Sequence, residues 1–98
     1  MNNVRSAVTV FHLRFVCITD LDEGGISVTN DVERVLASLV QMEELCSGDI
    51  VIYQDREGWW DQIVIDHECR FVAWKSLNER TPQAAMVRIL NDVTRSAS

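Results

Sequence analysis

The sequence predicts an α+β domain with elements in the order β-α-β-β-β-α, an antiparallel sheet and two helices packed on one of its faces. Three observations predict it. Two segments repeat apolar residues at the 3.6-residue spacing of an amphipathic helix. Four short segments are rich in β-branched and aromatic residues. The last three of these are joined by turns too short for parallel crossovers, so they read as an antiparallel meander.

The elements follow in order. Residues 1–6 are polar and are expected to be disordered. In residues 9–18 (TVFHLRFVCI), Phe11, Leu13, Phe15 and Cys17 alternate with His12 and Arg14, which predicts one strand. Residues 20–25 (DLDEGG) form a loop by their charges and glycine pair. Thr29 or Asn30 caps the first helix, and Asp31 and Glu33 suit the positive end of its dipole. Val32, Val35, Leu36, Leu39 and Val40 form its apolar stripe, so the helix spans about 31–45 and ends near Gly48.

Residues 49–55 (DIVIYQD), 59–65 (WWDQIVI) and 70–77 (RFVAWKSL) are the meander strands. Asp55-Arg56-Glu57-Gly58 and residues 66–69 are the turns between them. Thr81-Pro82 pairs an N-cap with a proline at the first helical position. Ala85, Met86, Ile89, Leu90 and Val93 complete a second helix over 82–94, with residues 96–98 frayed. The whole chain reads as a single domain.

Composition narrows the function classes. The chain has 98 residues, 47% of them apolar, and a net charge of −6. That is enough apolar material for one core and too acidic for a general nucleic-acid or anionic-membrane surface. The acidity is concentrated: residues 20–68 hold 13 acidic side chains against Arg34 and Arg56 alone, and both ends are weakly basic. The apolar stretch 7–18 carries His12 and Arg14 and is too short to span a bilayer. No secretory signal is read at the start, and Cys17, Cys46 and Cys69 form no CxxC, so reduced thiols in a cytoplasm are expected.

The strands do not alternate cleanly. Residues 50–53 (IVIY) and 63–65 (IVI) are continuous apolar runs, and Trp60 and Trp74 add bulk on both sides. Two helices on one face would leave the other an open apolar surface, which monomers rarely keep. A homodimer through that face or through a sheet edge is the expectation, with Tyr53, Trp59, Trp60, Asp61 and Trp74 as the binding or interface residues. A small-molecule groove walled by Trp59, Trp60 and Trp74 is the rival, and a terminal segment folded over the sheet is the plainer alternative. The acidic middle also suits an inhibitor-like module that docks on a basic protein.

Motifs for chemistry are sparse. Asp61, beside the tandem tryptophans, could act as a general acid in an aromatic pocket, with Tyr53, Asp55 and His67 nearby. A cross-strand pair with Lys75, or hydrogen bonds that close a turn, explains it more simply. His67 and His12 have no nucleophile at a recognisable spacing, and no P-loop, GxGxxG, HExxH or nucleophile elbow occurs. His67, Cys69 and Cys46 lack the paired spacing of a zinc site. Asp20, Asp22, Gly25 and Asp31 touch the EF-hand spacing, but Gly24 and Ser27 occupy positions that should be a ligand and an apolar residue. No catalytic residue, metal or cofactor is therefore assigned.

Thr29, Asn30 and Glu33 at the helix start, and Tyr53, Asp55, Gly58, Trp60 and Asp61 in the hairpin, resemble a group of small bacterial proteins of the integron gene-cassette and mobile-element kind. The resemblance covers about half the chain, residues 26–77. It implies the hairpin and the aromatic strand after it, and it carries no activity.

Overall fold

In the computed structural model, residues 4–19 and 29–97 are described. The first strand of the sequence reading is two strands. Phe11 and His12 both take positive φ, 51° and 69°, the signature of a two-residue type I′ turn. Around them β1 (Val4–Val10) and β2 (Leu13–Thr19) pair antiparallel, from Val10↔Leu13 to Val4↔Thr19. The expected disorder at 1–6 is thus corrected for residues 4–6, which are strand; residues 1–3 lie outside the described residues.

The remaining elements are α1 (Thr29–Gln41), β3 (Ile50–Gln54), β4 (Trp60–Ile65), β5 (Phe71–Glu79) and α2 (Pro82–Ala97). The sheet order is β1-β2-β3-β4-β5. β2 and β3 pair parallel, Phe15↔Ile50 to Ile18↔Tyr53, so the sheet is mixed and not antiparallel throughout. The α1 crossover returns the chain to the same end of the sheet, which makes the pairing parallel. A single crossover followed by a meander keeps the α+β class. The predicted loop at 20–25 and most of the calcium-like spacing lie outside the described residues.

The helices do not share a face. Along β2, Val16 and Ile18 pack with Val32, Leu36 and Leu39 of α1, together with Val51 and Ile63. Phe15 and Cys17 point the other way, to Ala85, Met86 and Ile89 of α2, together with Ile52, Trp60 and Leu77. The continuous apolar runs are therefore the mark of a sheet covered on both sides. Each fully buried Leu, Ile or Phe of these layers contributes about 1.5–3 kcal/mol of transfer free energy. Neither face is left wholly open, as one-sided packing would leave one.

Local chemistry sets the helix ends. α1 stops short of the predicted Leu45 in a Schellman cap: Glu44 N donates to Leu39 O at 2.8 Å, and Glu43 N to Val40 O at 3.0 Å. Glu43 takes the left-handed position, φ 62°. Leu45 then enters the α1 core as a separate anchor. At α2, Thr81 Oγ1 accepts Ala84 N at 3.1 Å, as the Thr81-Pro82 pair predicts. Arg14 of β2 reaches the loop between α1 and β3, pairing with Asp49 and donating to Glu44 O at 3.4 Å.

Candidate functional site: an aromatic patch beside a split strand pairing

Two hairpin turns of the same design frame the site. Asp55 N donates to Trp59 O at 2.9 Å and Gly58 N to Asp55 O at 3.1 Å. Asp66 N donates to Arg70 O at 3.0 Å and Cys69 N to Asp66 O at 2.9 Å. In each turn the aspartate Oδ1 accepts two further backbone N–H groups, from Glu57 and Trp59 and from Glu68 and Arg70. The fourth position is left-handed in both, Gly58 at φ 94° and Cys69 at φ 63°. The sequence signal was the repeated Asp-x-Glu at residues 55–57 and 66–68.

Between β4 and β5 the ladder is irregular. Trp60 pairs with Glu79 and Gln62 with Lys75, which leaves the backbone of residues 76–78 out of register. Asp61 fills the gap: its Oδ1 accepts Leu77 N at 2.8 Å and Asn78 N at 3.1 Å. The expected Asp61–Lys75 pair is not formed, because Lys75 lies across from Gln62 and reaches Asp92 of α2 at 3.3 Å. Nor does Asp61 close a turn, the other structural reading: its bonds go to β5 backbone within the ladder.

Cross-strand pairing puts Tyr53 opposite Asp61 and Trp74 opposite Ile63, all on the α1 face. α1 covers only part of that face. Trp74 stays 39% exposed, with its ring 5.5 Å from Tyr53 and 5.3 Å from Phe71, tilted by 58° and 60°. A second irregularity, at Val72, brings Phe71 and Trp74 to the same face although they are three positions apart. Simple alternation would have placed them on opposite faces.

The tryptophans do not wall one groove. Trp60 is 4% exposed within the α2 core. Trp59 sits at the first turn with the Arg80 guanidinium 3.9 Å above its ring. Of the predicted set, Tyr53, Asp61 and Trp74 come together, and Phe71 joins them. His67 projects from the second turn, 4.0 Å from Glu68. Among the described residues no group of three His, Cys, Asp or Glu side chains could hold a metal.

Electrostatics follow the packing. Burial, then the carboxylates of Asp61 and Asp55, push the Tyr53 hydroxyl above its ordinary pKa. Two carboxylates thus lie near the Tyr53 side of the patch. Burial raises the thiol pKa of Cys17 and of Cys69, so neither is primed as a nucleophile. A groove of about 440 Å³ adjoins the patch, lined by Leu36, Ala37 and Val40 of α1 with Cys69, Arg70 and Phe71. Arg70 and Glu33 meet across it at 3.3 Å. No helix among the described residues is long and apolar enough to cross a membrane. No protein-family model matches the chain, and searches of curated proteins and of solved structures return no significant match.

Proposed function

We propose that the chain is a binding module that docks a cationic group of a basic partner protein on the Tyr53–Phe71–Trp74 patch. The observation that carries this reading is an exposed indole, held by two tilted rings beside the carboxylates that act on Tyr53. An ammonium or guanidinium over such a ring gains about 0.5–1 kcal/mol at an exposed site, and more as it is desolvated. The chain uses the same chemistry internally, in Arg80 on Trp59. The acidic middle of the sequence would steer a basic partner to this surface and make association salt-sensitive. Asp61 is engaged by two backbone donors, and His67 stands apart in its turn; both facts favour binding over catalysis. Buried thiols at Cys17 and Cys69 suit a reducing cytoplasm.

Titration with an arginine-rich peptide, followed by tryptophan fluorescence, tests the reading. A saturable change that weakens with added salt and is lost in Trp74→Ala, with circular dichroism unchanged, is expected. A wild-type dissociation constant weaker than about 1 mM, or an unaltered titration in Trp74→Ala, would count against it. The adjoining groove supports a second reading, a small apolar ligand seated between α1 and Phe71, since its volume lies in the usual range for such sites.

A further inference from the structure

The two edges of the sheet are built differently. β5 is broken by two register shifts, carries Lys75, and holds Asn78 at φ 57°. Such features hinder pairing with another strand. β1 has none of them. Its seven residues, VRSAVTV, pair with β2 in unbroken register and contain no proline, no glycine and one charge, Arg5. Residues 6–9 are exposed, Val8 by 42%. Of residues 6–10, Val10 alone packs against a core cluster. Among the described residues nothing pairs with the outer edge of β1.

The turn determines which backbone groups face outward. A two-residue loop closed by Val10 and Leu13 makes that pair hydrogen-bonded, and bonded pairs alternate along the ladder. Val8–Phe15, Ser6–Cys17 and Val4–Thr19 are then bonded too. Arg5, Ala7 and Thr9 direct their N–H and C=O groups to the open edge.

We infer that β1 pairs antiparallel with β1 of a second copy about a two-fold axis at Ala7, joining two five-stranded sheets into one. In that register Ala7 meets Ala7 of the copy, and Arg5 meets Thr9. All the outward groups of the three residues are then satisfied, by about six ladder hydrogen bonds. The two arginines are not opposite each other, so no like-charge pair opposes the register. The only side chain at the axis is a methyl group, which lets the strands approach without a clash. This inference does not depend on the cation-binding reading, because β1 and the Trp74 patch lie at opposite ends of the strand order.

Light scattering on a size-exclusion column tests it at micromolar concentration. The expected mass is twice the 11.2 kDa of one chain. Ala7→Pro removes an outward N–H and leaves the β2 ladder intact; it should run as a single chain with native circular dichroism. Should that variant not fold, Ala7→Cys in a Cys46→Ser background decides. Oxidation should link the copies through the introduced thiols, since facing residues of a bonded pair lie about 5.5 Å apart at Cα. A wild-type mass of one chain overturns the inference. So does a folded Ala7→Pro that stays double, or an Ala7→Cys protein that does not cross-link.

Discussion

Asp61 Oδ1 accepts the backbone N–H of Leu77 at 2.8 Å, so a side chain stands in for a ladder carbonyl where β4 and β5 lose register. The adjacent Asn78 N–H shares the same oxygen at 3.1 Å. Asp61→Ala strands both donors and should cost about 1–3 kcal/mol in urea unfolding. Asp61→Asn keeps an acceptor oxygen and should recover most of the loss. Equal stability of Asp61→Ala and the wild type would show that water replaces the carboxylate without penalty.

The second turn should make stability pH-dependent. The Arg70 backbone N–H, followed by that of Glu68 and by the charges of His67 and Arg70, holds the Asp66 carboxyl below its ordinary 3.8 despite a desolvation penalty. The unfolded chain binds this proton more readily than the folded one. The contribution is therefore complete above the ordinary value and disappears as pH falls through the lower folded value. Asp66→Asn should flatten the acid limb of a plot of melting temperature against pH. An acid limb of the same slope in the variant would remove Asp66 from the account.

Left-handed positions offer a paired test. Glu43 holds φ 62° at the exposed end of α1, where glycine is the usual occupant. Its negative charge also sits at the unfavourable end of the helix dipole. Glu43→Gly should stabilise by about 0.5–1 kcal/mol. Gly58→Ala reverses the logic. A Cβ would meet Arg80 Nη1 only at 3.7 Å, so there is room, but φ 94° strains any L side chain. A loss of about 1–2 kcal/mol is expected. Chemical denaturation reads both, and equal signs for the two variants would contradict the backbone argument.

The β1–β2 turn is open to improvement. Phe11 and His12 occupy a type I′ turn that favours Asn-Gly, and Phe11 is 81% exposed. Replacing the pair by Asn-Gly should raise the melting temperature. A lower melting temperature would mean that the Phe11 ring contributes packing that outweighs its backbone strain.

That turn also shows where sequence reading stops. Phe-His carries no turn chemistry, so the strand pattern from Thr9 to Ile18 ran through it. The helices were legible because their stripes and the Thr81-Pro82 cap are local signals. Their assignment to opposite faces is not local: it depends on where β2 sits relative to β3, which the α1 crossover decides. The apolar run at Ile50–Tyr53 correctly implied two bulky faces, and α2 packs on the second. Tyr53, Asp61 and Trp74, candidates by residue type, lie together. Trp60 is instead the first residue of β4 and points into the α2 core, while Trp59 belongs to the turn before it. Phe71 was missed because an irregularity at Val72 has no residue signature.

On the proposed function, Trp74 presents its ring to a cation. The most direct measurement is an NMR titration that follows the three indole N–H resonances as an arginine-rich peptide is added. A saturable shift of the Trp74 resonance is expected, with that of buried Trp60 unmoved. A Trp74 resonance that stays fixed, or all three moving together without saturation, would contradict it.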